Sequence, residues 1–222
     1  MRYRPEDPWQ HQVPLQPSQL PAGPVIVTAN HPTMVEAYFL IALLPHRTDF
    51  VINETAAKVP LLGWWAPAIG APVAVKGCIQ ECLKRLEQGR SVGVLAEGHM
   101  THSDQVQELG SILYVLALKS GLPVLPIGLG GSRAYLEARC RYATGGPVGV
   151  RVGTPLHLRP DESGPDFCQR IRLELQELVD QAREPVSQWR PDWRFYFLQL
   201  FWGVITGIWF WLLDWLKPQH KR

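Results

Sequence analysis

From residue 25 to residue 183, short apolar runs alternate with helical stretches. Residues 25–29 (VIVTA) are apolar apart from one threonine, the pattern of a strand buried on both faces. An apolar helix is predicted over 33–44, short strands over 50–52 and 73–75, and a helix over 79–88 that stops at Gly89. A strand over 92–96, a helix over 106–119 closed by Gly121, a strand over 124–129 and a late strand over 148–152 complete the series. Residues 166–183 read as an amphipathic helix. Phe167, Ile171, Leu175, Leu178 and Val179 share one face, and Arg170, Arg172, Glu174 and Glu177 lie elsewhere. Alternation of this kind predicts an α/β fold with a mostly parallel central sheet flanked by helices.

Both ends break the pattern. Pro5, Pro8, Pro14, Pro17, Pro21 and Pro24 make residues 1–24 an extended arm, because proline at this density forbids helix and central strand. It contains no apolar stretch, so neither a signal peptide nor an anchor is expected there. Residues 25–188 form the expected domain, and 189–222 an apolar helix with a basic tail. Within that tail, residues 195–213 (FYFLQLFWGVITGIWFWLL) hold 19 residues without a charge. As a helix the segment would be ~28 Å long, near the ~30 Å hydrocarbon thickness of a bilayer. Gly203 and Gly207 form a GxxxG that permits close helix packing. A buried core helix is the alternative. Six of the nine tryptophans fall between Trp189 and Trp215, more than a core of this size needs, which favours membrane association.

Composition narrows the classes. Lys plus Arg is 22 against 20 for Asp plus Glu over 222 residues, a net +2 that gives no basic excess for a nucleic-acid partner. Cys78, Cys82, Cys140 and Cys168 form no CxxC pair, and Cys78 and Cys82 are spaced for one helix face. They read as reduced core thiols of a cytosolic compartment, with metal or disulfide use as the alternative.

Candidate chemistry follows the strands, where α/β proteins place ligands. After VIVTA comes Asn30-His31-Pro32-Thr33-Met34-Val35-Glu36. Pro32 suits the first turn of a helix and leaves His31 in the turn at its mouth. A spacing of five does not share a helix face, but with His31 outside the helix the Glu36 carboxylate can reach its imidazole. A histidine held by a carboxylate is a general base of fixed tautomer. Leu95-Ala96-Glu97-Gly98-His99-Met100 follows the next strand, and its Glu-Gly turn offers a carboxylate and backbone N–H groups to a substrate hydroxyl or an oxyanion. In Gly70-Ala71-Pro72-Val73-Ala74-Val75-Lys76, the lysine ends a short strand and suits a phosphate. The fourth block is Val124-Leu125-Pro126-Ile127, whose proline argues against a central strand. Taken singly, each block could equally be an ordinary cap or turn.

Together, in this order, they resemble the glycerolipid acyltransferase family of the lysophosphatidic-acid acyltransferase type. Asn30, His31 and Glu36 stand where that family has Asn-His and, beyond four intervening residues, Asp. Glu54, Pro60, Gly63-Trp64 and Gly70 match in order, and Lys76 stands where the second block usually has Arg. Ala96-Glu97-Gly98-His99-Met100 aligns with Pro-Glu-Gly-Thr-Arg, and Val124-Leu125-Pro126-Ile127 with the fourth block. The resemblance covers about residues 24–155. In the family the two arginine positions are associated with the acceptor phosphate, so Lys76 and Met100 are departures that bear on the acceptor.

The resemblance implies a membrane-associated O-acyltransferase of phospholipid biosynthesis. It would move a fatty acyl group from acyl-CoA or acyl-carrier protein to a lysolipid hydroxyl, with its catalytic domain cytoplasmic. His31 would be the general base and Glu36 its partner, with Asn30, Lys76, Glu97, Gly98 and His99 lining the substrate site. No GxSxG elbow for an acyl-enzyme is present. No cofactor or metal is implied: His31, His99 and His102 lack HxxxH or HExxH spacing. A thioester hydrolase and a membrane-tethered lipid-binding protein are the alternatives.

Overall fold

The computed structural model describes residues 21, 23–33, 36–44, 48–54, 72–101, 103–132 and 148–187. Nearly all of the proline-rich arm lies outside these residues. So do Pro60, Gly63, Trp64, Gly70, His102 and the whole apolar segment 195–213.

Five strands form one sheet in the order β2-β3-β1-β4-β5: β1 (Ile26–Ala29), β2 (Thr48–Phe50), β3 (Ser91–Gly93), β4 (Val124–Gly130) and β5 (Gly149–Val152). The first four are parallel, and β5 runs antiparallel to β4. Among the described residues four helices accompany them: α1 (Glu36–Leu43), α2 (Cys78–Glu87), α3 (Ile112–Ser120) and α4 (Gly164–Ser187). The fold is the α/β class with a mostly parallel sheet that the β/α alternation predicts.

Side-chain alternation along the strands splits the core into two layers. Ile26, Val92 and Val124 face α2, α3 and the start of α4, where Cys82, Leu86, Leu113, Leu116, Phe167 and Ile171 close the layer. Val27, Leu125 and Ile127 face the other way and pack with Leu40 of α1 and Phe50. β1 is buried at every position, as an interior parallel strand requires. Cys78 and Cys82 lie on the core face of α2 with sulfurs 4.0 Å apart, and burial pushes the Cys82 thiol up to about 12, far from a reactive thiolate. At the sheet edge, buried Asp49 of β2 pairs with Arg85 of α2 and with Arg90.

β4 sits inside the sheet despite Pro126. Its pairing with the far strand shifts by one residue between Ile127↔Val152 and the isolated bridge Val124↔Leu156, which is a β-bulge. Val124 N–H donates toward that side, to Leu156 O (2.9 Å), so alternation points the N–H that Pro126 lacks at the bulge, where none is needed. Beyond it, Gly128 and Gly130 let α4 lie directly on the strand. A Cβ at Gly128 would fall into the backbone of Leu178 and Val179, and one at Gly130 into that of Ala182 and Arg183. Backbone cannot rotate out of the way as a side chain can. Gly128→Ala is therefore expected to lower the unfolding free energy by about 1–3 kcal/mol. An unchanged urea midpoint would contradict this close packing.

Several boundaries differ from the sequence pattern. The helix expected over 106–119 begins only at Ile112. The amides ahead of it are taken: Val106 N–H donates to Gln176 Oε1, Gln107 N–H to Glu97 Oε2 and Gly110 N–H to Ala96 O. The strand expected over 73–75 reduces to one bridge, Ile52↔Val73, because Val75 N–H turns back to Val73 O on the way into α2. β2 starts earlier than expected and leaves Ile52 in that bridge. The ladder of β3 ends at Gly93, short of Ala96, before the turn that Gly98 N–H closes on Leu95 O. Conversely, α4 begins before Asp166, because Pro165 fits its first turn and Ser163 Oγ accepts from Asp166 N–H.

Candidate active site

Parallel pairing places the C-terminal ends of β1 and β3 side by side, and the two connections leaving them interlock. The chain leaving β1 is anchored first by Asn30. Its buried carboxamide donates from Nδ2 to Leu129 O and accepts at Oδ1 from Leu129 N–H, both at 2.9 Å. The amide thus continues the β1–β4 ladder for one more rung. Asn30, expected among the substrate contacts, makes both of these bonds to the Leu129 backbone.

His31 follows in the turn before α1. Its Nδ1 lies 3.0 Å from Glu36 Oε2, with the imidazole 18% exposed and the carboxylate fully buried. Glu36 opens α1 and also accepts from Thr33, from its hydroxyl at 2.7 Å and its N–H at 3.2 Å. With Thr33 supplying donors, the carboxylate is the acceptor for Nδ1–H. That tautomer leaves Nε2 as the unprotonated nitrogen. Thr33 went unnoticed in the reading of the sequence, although Thr-x-x-Glu ahead of an apolar run is the spacing by which a glutamate reaches back to the start of its own helix.

Glu97 lies near the start of the connection leaving β3, and both its oxygens are occupied. Oε1 accepts His31 N–H at 2.7 Å and Oε2 accepts Gln107 N–H at 2.9 Å. Thr101 N–H donates back to His31 O at 3.0 Å. Gly98 is left-handed (φ 73°), and its N–H is spent on Leu95 O at 3.1 Å. Both oxygens of Glu97 and the amide of Gly98 are thus engaged within the fold, an engagement that the strand-end pattern does not reveal. His99 and Met100 are exposed, and among the described residues their amides have no hydrogen-bond partner.

The structure thus links His31, Glu36 and Glu97 by hydrogen bonds into one array, with Asn30 beside it in the chain but tied to Leu129, and with Gly98 and His99 exposed in the chain just after Glu97. Lys76 is exposed in the turn that leads from the Val73 bridge into α2, and among the described residues no hydrogen bond or ion pair joins it to that array.

Comparison with known proteins decides the family. The sequence signature described as Acyltransferase matches residues 13–130, more than half of the chain and all of the array just described. The chain belongs to the acyltransferase family. Among curated members it is 22% identical over 165 residues to the chloroplastic 1-acyl-sn-glycerol-3-phosphate acyltransferase of Arabidopsis thaliana, covering 71% of this chain and 45% of that one. It is 24% identical over 178 residues to the 1-acyl-sn-glycerol-3-phosphate acyltransferase of Pseudomonas aeruginosa, covering 76% and 67%. The human 1-acyl-sn-glycerol-3-phosphate acyltransferase alpha is 25% identical over 165 residues, covering 68% and 57%. The match thus spans about half the length of several of these relatives. The crystal structure of the 1-acyl-sn-glycerophosphate acyltransferase PlsC from Thermotoga maritima superposes with a TM-score of 0.66 at 20% identity, over 78% of this acyltransferase-family chain and 70% of that one. That likeness is one of fold.

Proposed function

We propose that this protein transfers a fatty acyl group from a thioester, acyl-CoA or acyl-carrier protein, to the hydroxyl of a lysolipid at a membrane surface, with no cofactor of its own. The observation that carries the reading is the 3.0 Å contact between His31 Nδ1 and a fully buried Glu36 in a chain of the acyltransferase family. Nε2 of His31 takes the acceptor hydroxyl proton as the oxygen attacks the thioester carbonyl. Glu36 holds the tautomer and balances the imidazolium that forms. The tetrahedral intermediate then collapses, the C–S bond breaks, and the departing thiolate takes the proton back from the imidazolium. The amides of His99 and Met100, without a partner among the described residues, are the donors this reading assigns to the oxyanion.

Thiol release from an acyl thioester, measured with and without a lysolipid, tests this. Acceptor-dependent release supports the transferase. Acceptor-independent release points to a hydrolase, and none to a lipid-binding protein.

The acceptor is the finer question. Lys76 and Met100 are both exposed and so stand open to a headgroup, but they offer one flexible cation where the family pattern has two guanidiniums. A lysine does not grip a phosphate in the bidentate manner of arginine. A lysolipid with a diester or uncharged headgroup is therefore expected to compete well with lysophosphatidic acid, and Met100→Arg to shift preference toward the phosphomonoester. Exclusive use of lysophosphatidic acid by the wild type in a side-by-side panel would refute the expectation.

A further inference from the structure

His31 is held by its backbone as firmly as by its ring. Its N–H goes to Glu97 Oε1 at 2.7 Å and its carbonyl receives Thr101 N–H at 3.0 Å, so both polar groups of its main chain are tied to the connection leaving β3. The second oxygen of the same carboxylate takes Gln107 N–H at 2.9 Å, which fastens the far end of that connection. Glu97 is 6% exposed, and among the described residues no cation pairs with it. Burying a carboxylate without a counter-charge is costly, and two backbone amides are what this one gains in return. The turn that carries it is fixed as well. Gly98 takes a left-handed conformation and closes on Leu95 O, while Ala96 O accepts Gly110 N–H at 2.7 Å.

The geometry points to Glu97 as a positioning residue for the reaction: it fixes the Cα from which the His31 imidazole projects, without touching the acceptor. Glu36 then sets the ring about its Nδ1, and Glu97 with Thr101 sets where the ring starts. This rests on the reading of His31 as the base.

Glu97→Gln in the full chain tests it. A carboxamide has one acceptor oxygen, and its NH₂ must face one of the two N–H donors, so half of the bridge becomes a repulsion. Because misplacing a reacting group by about 1 Å can cost ~10²-fold, kcat is expected to fall by about that factor. The KM values for thioester and lysolipid should change by no more than roughly threefold, since no substrate contact is lost. Glu97→Asp, one methylene shorter, should keep one of the two bonds and give an intermediate kcat. Native-state hydrogen exchange supplies a readout independent of turnover: the His31 amide should exchange faster in Glu97→Gln while the Val27 amide in β1 does not. A rise in acceptor KM at constant kcat would make Glu97 a substrate contact and overturn the inference, as would an unchanged kcat. If the wild type transfers no acyl group, the reading of His31 has failed instead. The bridge is then judged by exchange alone, and equal protection of His31 in both proteins overturns it. Should Glu97→Gln not fold, Gln107→Pro deletes the second donor from the other side, with the same loss expected in kcat.

Discussion

Replacing His31 with alanine is expected to lower acyl transfer by about 10²–10⁴-fold, the range that a positioned general base supplies. The loss should fall on kcat, because an alcohol oxygen that keeps its proton can still bind but attacks poorly. Glu36→Gln is expected to be about as severe, for a reason specific to this site. In the native array Glu36 only accepts, from Thr33 and from Nδ1–H, which leaves Nε2 able to take a proton. A glutamine can turn its NH₂ toward Nδ1, and the imidazole then carries its hydrogen on Nε2, the wrong nitrogen for a base. The imidazolium formed in the reaction also loses its counter-charge. Steady-state rates of thioester turnover with a saturating lysolipid measure both effects. Near-normal transfer by His31→Ala would remove the proposed mechanism.

That pair was legible in the sequence because its partners are five residues apart and the intervening Pro32 marks where the helix can begin. β1, β4 and the core face of α4 were legible for a similar local reason: continuous apolar runs and a 3.6-residue period leave little choice of element. The start of α3 was not. Val106 and Gln107 carry apolar and helix-compatible side chains, yet their amides are drawn off by Gln176 and Glu97, and a local pattern does not record where a distant side chain will reach. The same blindness affected the site. Asn30 reads as a substrate contact from the family resemblance, and Glu97 from its place in a strand-end turn, and neither signal records the bonds the two make inside the fold. Their partners are Leu129 and the backbone of His31, 99 and 66 residues away, and only the parallel order of β3, β1 and β4 brings them together. A polar side chain at a strand end can serve a ligand or the neighbouring connection, and the one-dimensional signal is the same for both.

Deleting residues 193–222 is expected to leave a folded domain that no longer pellets with membranes and acylates lipid acceptors poorly. Among the described residues, the core layers that hold the sheet are made of residues between Val25 and Ala182, all of which the deletion keeps. Among the described residues no helix is long and apolar enough to cross a membrane, and the uncharged segment 195–213 lies beyond them. An enzyme joining a soluble thioester to a lipid alcohol must hold its site at the interface, and the proline-rich residues 1–24 offer no apolar run for this. Positive charge flanks the segment on both sides, Arg190 and Arg194 before it and Lys217, Lys221 and Arg222 after it, so the positive-inside bias favours sending neither end across. Trp202, Trp209 and Trp211 lie within the segment and Trp193 and Trp215 flank it, whereas a simple spanning helix collects its tryptophans at the two interfaces. From the sequence we propose a helix embedded in one leaflet with its two ends and the catalytic domain on the cytoplasmic side, a single span being the close alternative. A C-terminal tag open to protease from the cytoplasmic side is the expected result, and protection from that side means a span. If the truncated protein binds membranes as tightly as the full chain, the anchor lies elsewhere.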